Sequence, residues 1–247
     1  MLCECGGVAA PQSVQARQPE VAQLLRRVPP HAFFLTGAIF HYLGPAFAVM
    51  LFGRILPLGV AWLRILVAAG VFAAWRRPSR LWRAWTPRER RVMVLFGLVL
   101  AAMNCVFYEA IARLPLSTVG AIEFLSPIGL AAAGTRTARN ALALALVIAG
   151  VWVLTDVRLA GEPIGYVLAF ANCALFALYI VLGHRLALDG GVSGIDRLGA
   201  AMLVAMLAAL PLGIREAEPA FRNPSLFAAA IGVGITSSVI PYACVSA

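Results

Sequence analysis

The stretch Arg76–Arg91, which reads RRPSRLWRAWTPRERR, decides the fold because it contains seven arginines and separates two long apolar runs. These runs are Leu56–Trp75 and Val92–Ile111, and each approaches the roughly 20 helical residues needed to cross a bilayer core. The connections on the far side of the two runs contain little more than Arg54 and Arg113. Since positively charged loops stay in the cytoplasm, this alternation predicts a chain that crosses a membrane repeatedly.

The composition agrees with a membrane protein. The chain has 247 residues, of which 62% are hydrophobic and 13% charged, and its mean hydropathy is +0.87. A soluble domain of this length has too little interior to bury so much apolar surface. The net charge of +9 comes from arginine without any lysine, and most of these arginines lie in alternate connections. Membrane topology and attraction to anionic lipid therefore explain the basic balance better than nucleic-acid binding.

The apolar pattern predicts an all-α fold, a polytopic membrane helix bundle with eight spans. Two connections, Ala112–Pro115 and Thr135–Arg139, are so short that the helices they join must be adjacent and antiparallel. Gly44-Pro45 should kink or break the first span. The predicted spans are Phe33–Gly53, Leu56–Trp75, Val92–Ile111, Leu116–Gly134, Asn140–Leu154, Ile164–Gly183, Ile195–Ile214 and Ser225–Ala247.

Arginine is divided unequally between the two sides of such a bundle, which predicts the orientation. One side collects Arg17, Arg26, Arg27, the seven of Arg76–Arg91, Arg136, Arg139, Arg185 and Arg197. The opposite side collects Arg54, Arg113, Arg158, Arg215 and Arg222. The N-terminus is therefore expected in the cytoplasm. Residues 1–30 are polar and lack a cleavable signal pattern, so we expect a disordered cytoplasmic tail.

A weak internal repeat predicts two halves of opposite orientation. The pattern Phe52-Gly53-Arg54, Gly59-Val60 and Leu63-Arg64 is followed by Gly183-His184-Arg185, Gly191-Val192 and Asp196-Arg197, and Phe107-Tyr108 has a counterpart in Pro241-Tyr242. An odd number of spans separates the copies, so the halves are inverted, as in secondary transporters. Residues 33–155 form the first five-helix repeat, and residues 163–247 form a second repeat with three helices.

Several motifs resemble the EamA-type transporters of the drug/metabolite transporter superfamily, and especially members of the threonine/homoserine exporter type. The resemblance rests on Met103–Tyr108, on Leu114-Pro115-Leu116, and on Ile122–Pro127. Gly59-Val60-x-x-Leu63-Arg64 and Ala177-x-Tyr179 match as well. The family implies ten helices in two inverted repeats, alternating access and proton-coupled export of amino acids or similar small polar metabolites from the bacterial inner membrane.

The difference between eight predicted helices and the ten of the family leaves an alternative function open. Without the last two helices, the chain would be a truncated, non-transporting membrane protein or an assembly partner. The expected partners are a small polar metabolite and the lipid bilayer, without nucleic acid, and a homodimer remains open.

Glu123 is the strongest candidate for a functional residue. A carboxylate near mid-membrane is costly unless it faces a cavity, a partner or a proton path. Pro127, four residues further on, leaves the backbone carbonyl of Glu123 without its helical donor. We expect substrate ammonium binding or proton coupling at Glu123, and a structural carboxylate bonded to a neighbouring helix is the alternative.

Three further polar residues in predicted spans are candidates for substrate binding. Asn104 and Tyr108 are four residues apart on one helix face and offer an amide and a phenol, although such groups also join helices. Arg64 could hold a substrate carboxylate. Its alternative is structural pairing, either with Glu123 or with a backbone carbonyl.

The remaining polar residues predict less. His41 is expected to be a buried neutral imidazole, with a proton relay as the minor alternative. Glu109 and Arg113 are four residues apart and should form a surface ion pair. Cys3-Glu4-Cys5 lacks the spacing of a zinc site, so we expect no metal. The sequence contains no Walker motif and no catalytic triad. We therefore expect no cofactor and no enzymatic activity.

Overall fold

The computed structural model describes residues 30–76, 85–134, 137–154, 162–188 and 194–239, and within these ranges it contains helices and no strand. The all-α prediction is thus confirmed for the described residues. The tail, the pair Cys3 and Cys5, the positions Arg136 and Arg158, and the repeat pair Pro241-Tyr242 lie outside them. In chain order the helices are α1 (Pro30–Leu51), α2 (Pro57–Arg76), α3 (Pro87–Ile111), α4 (Leu116–Gly134), α5 (Ala138–Leu154), α6 (Pro163–Leu188), α7 (Gly194–Gly213), α8 (Glu218–Arg222) and α9 (Pro224–Gly234), which continues as the π-helix Ile235–Val239.

Five helices in the described ranges are long and apolar enough to cross a membrane, by length and composition. Ile39–Leu51 in α1 and Pro224–Val239 are further apolar helical segments, whose lengths here count only described residues. The count of eight spans therefore stays a prediction. The five spanning segments are Pro57–Ala74, Pro87–Ile111, Leu116–Gly134, Pro163–Ala187 and Asp196–Gly213.

Helix α3 begins at Pro87, which is five residues before the predicted start at Val92. A capping box explains the earlier start. The Thr86 amide donates to Glu89 Oε2 at 2.7 Å, and the Glu89 amide donates to Thr86 Oγ1 at 3.3 Å. These bonds satisfy two backbone groups that a helix N-terminus otherwise leaves unpaired. Several arginines of the basic connection thus extend the helix beyond its apolar part.

Two predictions about helix ends need correction. Of the kink or break expected at Gly44-Pro45, the break is wrong, because α1 continues through Pro45 to Leu51, and the kink stays a prediction. The predicted eighth span is not one regular α-helix over its described part, because α9 changes at Ile235 into a π-helix. Such π-helical turns are rare and are often found at functional sites.

The helices pack around α2, α3 and α7. Helix α2 lies against α7, and the Trp62 indole donates to the backbone oxygen of Met206 at 3.1 Å. Helix α3 packs against both α6 and α7, and α4 packs against α6. At the end of the described chain, α9 and the π-helix pack against α1 and α2. These contacts bring α1, α2, α3, α4, α6 and α7 around one interior space.

A carboxylate from a distant part of the chain caps the N-terminus of α2. Glu216 Oε2 accepts hydrogen bonds from the amides of Leu58, at 3.0 Å, and Gly59, at 3.2 Å. The positive end of the helix dipole favours an anion at this position. The close approach requires a glycine, because a Cβ atom at Gly59 would lie 2.6 Å from the carbonyl carbon of Glu216.

Glu216→Ala should therefore lower the free energy of unfolding by about 1–2 kcal/mol, since it removes two cap bonds and the favourable charge. Thermal unfolding of detergent-purified protein measures this loss. The matched control is Glu218→Ala, because Glu218 is exposed and pairs with Arg222 on the same short helix. That control should change the stability by less than about 0.5 kcal/mol. Equal destabilisation by both variants would contradict the capping role.

Candidate functional site

A polar cavity lies among these helices and encloses about 480 Å³ of empty space, including its open mouth. Its polar lining consists of His41, Arg64, Asn104, Glu123 and Asn172. Its apolar lining consists of Pro45, Met103, Phe107, Phe176, Tyr179 and Met202. Three of the four predicted site residues, Arg64, Asn104 and Glu123, are thus brought together in one cavity by three different helices. The combination of an apolar wall and a few converging polar groups is typical of small-molecule sites.

Glu123 is almost completely buried and is held by hydrogen bonds from two other helices. The Tyr42 hydroxyl of α1 lies 3.3 Å from Glu123 Oε2 and donates to it. The Asn172 amide of α6 donates to Glu123 Oε1 at 3.2 Å. Pro127 has no N–H, so the backbone carbonyl of Glu123 lacks its usual donor in α4. The carboxylate therefore joins α1, α4 and α6 at one wall of the polar cavity.

A second contact between α4 and α6 lies beside this carboxylate. The Ser126 hydroxyl donates to the backbone oxygen of Cys173, and Ser126 Oγ is 3.1 Å from Cys173 Sγ. Ser126 and Cys173 follow Glu123 and Asn172 closely along their helices. Two neighbouring polar contacts therefore fix the position of α6 against α4 at the level of Glu123.

Arg64 is buried and lines the polar cavity from α2. Its Nε donates to Ser238 Oγ at 3.0 Å, and its Nη2 donates to the backbone oxygen of Ser237 at 3.2 Å. Of the two structural partners considered from the sequence, the backbone carbonyl is therefore confirmed. The pairing with Glu123 is not found among the ion pairs of the described residues. The guanidinium and the carboxylate thus line one cavity without neutralising each other directly.

The π-helix that receives Arg64 packs closely against α1 at Gly44. A Cβ atom at Gly44 would lie 2.1 Å from Ser237 Cβ, so only glycine allows this approach without a shift of the helices. Pro45 follows directly and lines the polar cavity. Gly44-Pro45 therefore serves as a packing surface for Ser237 and not as a helix break.

Asn104 lines the polar cavity and Tyr108 does not, although both residues lie on one face of α3. Asn104 lines the polar cavity, and its amide nitrogen donates to the Leu100 backbone oxygen at 2.8 Å. Tyr108 is completely buried and is not among the lining residues. It lies one helical turn further along α3, where the Arg64 guanidinium is 5.8 Å from the centre of its ring. Tyr108 therefore touches the site through Arg64 and through its ring contact with Phe107, which lines the cavity.

Sequence reasoning missed two residues of this site, Tyr42 and Asn172, and assigned no ligand role to His41. Asn172 is completely buried. A signal for it was available, because Asn172 interrupts the long apolar run of α6, and a polar side chain at such a place needs a partner. No comparable signal points to Tyr42, because tyrosine also occurs in purely structural positions.

The predicted surface pair of α3 is confirmed. Arg113 and Glu109 form an ion pair four residues apart, and both side chains are partly exposed. Arg113 Nε also lies 3.7 Å from Glu162 Oε2, at the start of α6. This network lies at an end of the bundle and contributes nothing to the lining of the polar cavity.

Long apolar helices around a cavity lined by charged residues define a multi-pass α-helical membrane protein, and such an arrangement is typical of transporters. The comparison with curated proteins agrees with this class. The chain is 29% identical over 206 residues to the threonine/homoserine exporter RhtA of Salmonella typhimurium (strain SL1344) and to RhtA of Escherichia coli (strain K12). The match covers 81% of this chain and 67% of each exporter. No protein-family model matches the chain.

Proposed function

We propose that this chain belongs to the EamA-type transporters and is a secondary transporter of the bacterial inner membrane that exports amino acids. Threonine and homoserine are the first substrates to consider, because the similar proteins are exporters of these two. The single observation that carries the proposal is that an acidic and a basic side chain line the polar cavity without a direct ion pair between them. Glu123 and Arg64 both line it, and they share no ion pair in the described part of the chain.

A zwitterionic amino acid matches this distribution of charge. The Glu123 carboxylate can accept hydrogen bonds from a substrate ammonium group. Arg64 binds the π-helix through Nε and Nη2, and we expect its guanidinium to contact a substrate carboxylate as well. Asn104 and the apolar wall are then left to contact the substrate side chain. Tyr108 contributes indirectly, since it supports the guanidinium through its ring.

The helix packing supports alternating access between two inverted halves. Exchanging the halves pairs α1 with α6, α2 with α7, and α3 with α9 and its π-helix. Under this exchange, the packing of α3 on α6 and α7 corresponds to the packing of α9 and the π-helix on α1 and α2. The contact between α2 and α7 is unchanged by the exchange, because these two helices are paired with each other. Such pseudo-symmetry allows a site between the halves to open to either side.

Coupling to protons would use the same carboxylate. Glu123 is held by donors from Tyr42 and Asn172, and it can exchange a proton with the cavity. A proton on Glu123 and an ammonium beside it compete for the same negative charge, which is the simplest basis for antiport. Such antiport would couple export of the amino acid to inward movement of a proton.

The test uses purified protein in liposomes loaded with labelled L-threonine or L-homoserine. We expect efflux that is faster than from protein-free liposomes loaded with the same substrate. This efflux should change at least several-fold when a pH gradient is imposed. Gradients of both signs are compared, so that passive leak is separated from coupling. Efflux equal to that of protein-free liposomes under every gradient would overturn the proposed transport.

A further inference from the structure

One buried acceptor in the polar cavity has no partner among the described residues. Asn172 is fully buried, and its amide nitrogen donates to Glu123 Oε1 at 3.2 Å. Its amide oxygen Oδ1 is also buried and accepts no hydrogen bond. A carbonyl oxygen removed from water without a donor is costly, so such an atom points to a group that the bound ligand supplies.

The orientation of this amide is determined by Glu123. When Glu123 is ionised, turning the amide by 180° would direct Oδ1 at the carboxylate, and two acceptors would then face each other without a hydrogen between them. The nitrogen therefore faces Glu123 and the oxygen faces away from it. Asn172 and Glu123 both line the polar cavity, so a ligand bound there lies beside both side chains.

We infer that Asn172 Oδ1 and the Glu123 carboxylate form a two-acceptor subsite for a primary ammonium group. The inference rests on the proposed function, since it assigns one end of the exported amino acid to this place. A primary ammonium has three N–H donors and can bond both acceptors at once, whereas a single hydroxyl has only one. Its positive charge also matches the carboxylate, which makes these hydrogen bonds stronger than neutral ones.

The neighbouring groups favour an organic cation over a metal ion at this subsite. Ser126 and Cys173 are engaged with each other, and the Tyr42 hydroxyl donates to Glu123 Oε2. Within the described ranges, no group of three or more His, Cys, Asp or Glu side chains comes together to hold a metal ion. The three side-chain oxygen atoms of Asn172 and Glu123 are too few for a protein site for Ca²⁺ but sufficient for an ammonium group.

The test measures binding of L-threonine, N-methyl-L-threonine and N,N-dimethyl-L-threonine to detergent-purified protein, by competition with labelled L-threonine. The dimethylated ligand keeps one N–H and can serve only one acceptor. Asn172→Leu removes Oδ1 at similar size. It should weaken L-threonine binding about 10- to 100-fold and change the affinity for the dimethylated ligand less than about threefold.

Tyr42→Phe is the matched control, because it also removes one donor from Glu123 but leaves Asn172 Oδ1 in place. It should weaken all three ligands by one common factor. If Asn172→Leu likewise weakens all three equally, Asn172 only positions Glu123 and the subsite is rejected. If Asn172→Leu leaves L-threonine binding unchanged, water alone serves Oδ1, and the subsite is rejected again.

Two further outcomes are decided by wild-type protein. Should Asn172→Leu not fold, the wild-type series is decisive, since one methyl group should cost little and the second should cost at least about tenfold. An equal loss at each methyl group indicates crowding and overturns the subsite.

If wild-type protein binds neither L-threonine nor L-homoserine, the proposed function fails and the subsite fails with it. If wild-type protein binds them and the variant pattern is absent, only the subsite fails.

Discussion

Glu123→Gln is expected to reduce L-threonine efflux driven by a pH gradient between about 30- and 150-fold, equivalent to about 2–3 kcal/mol. Glutamine keeps the size of the side chain and one acceptor oxygen, but it cannot ionise or carry a proton. It also presents an NH₂ group to Tyr42 and Asn172, both of which donate to Glu123 in the wild-type protein. The measurement is efflux from proteoliposomes with equal amounts of folded protein.

An exchange experiment separates the two roles considered for Glu123. Labelled threonine inside the liposomes is exchanged for unlabelled threonine outside, without any pH gradient. If Glu123 only couples transport to protons, exchange should persist in Glu123→Gln; if it binds the substrate ammonium, exchange should fall as efflux does. Glu218→Gln is the matched control, because Glu218 is exposed and outside the polar cavity. Gradient-driven efflux that survives in Glu123→Gln would contradict both roles.

Arg64→Lys is expected to lower the free energy of unfolding by about 2–4 kcal/mol although the charge is kept. The guanidinium donates from two atoms to Ser238 and Ser237 and lies over the Tyr108 ring. An ammonium is a compact charge on a flexible chain and cannot reproduce both the fork and the stacking. The buried oxygen atoms that lose their donors add to the cost. Thermal unfolding in detergent measures the effect.

Arg54→Lys provides the comparison, because Arg54 is exposed in the connection between α1 and α2. It should change the stability by less than about 0.5 kcal/mol. Unchanged stability in Arg64→Lys would show that the bonds to the π-helix are not structural. The contact proposed between Arg64 and the substrate carboxylate is tested separately, by binding. If Arg64 makes this contact, Arg64→Lys should reduce the affinity for L-threonine more than the affinity for L-threonine amide, which lacks the carboxylate.

The start of α3 shows how far a local pattern can be used. Thr86, two residues and Glu89 form the sequence signature of a capping box, and Pro87 stands at the first helical position. The apolar pattern alone placed the start at Val92, because it detects the membrane-crossing part of a helix and not its polar extension. The capping signature is local, so the correct start was predictable from the sequence.

The packing of Tyr108 shows where a local pattern fails. The four-residue spacing from Asn104 correctly placed both residues on one face of α3. The spacing does not tell which neighbour each residue meets along that face. Asn104 meets the polar cavity, whereas Tyr108, one turn further on, meets Arg64 from α2. Their different environments depend on how α2 crosses α3, which no spacing within α3 encodes.

The sequence by itself determined the all-helical character of the described chain and five segments long and apolar enough to cross a membrane, because a bilayer requires long apolar helices whose backbone bonds are internal. It also identified Glu123, Arg64 and Asn104 as polar residues that need a reason to be there. The tertiary structure alone decided their partners. Glu123 is bonded to Tyr42 and to Asn172, which are 81 and 49 positions away in the sequence. Arg64 is bonded to Ser237, which is 173 positions away. Contacts of this kind arise from helix packing, where close approach and hydrogen bonding depend on the positions of several helices at once.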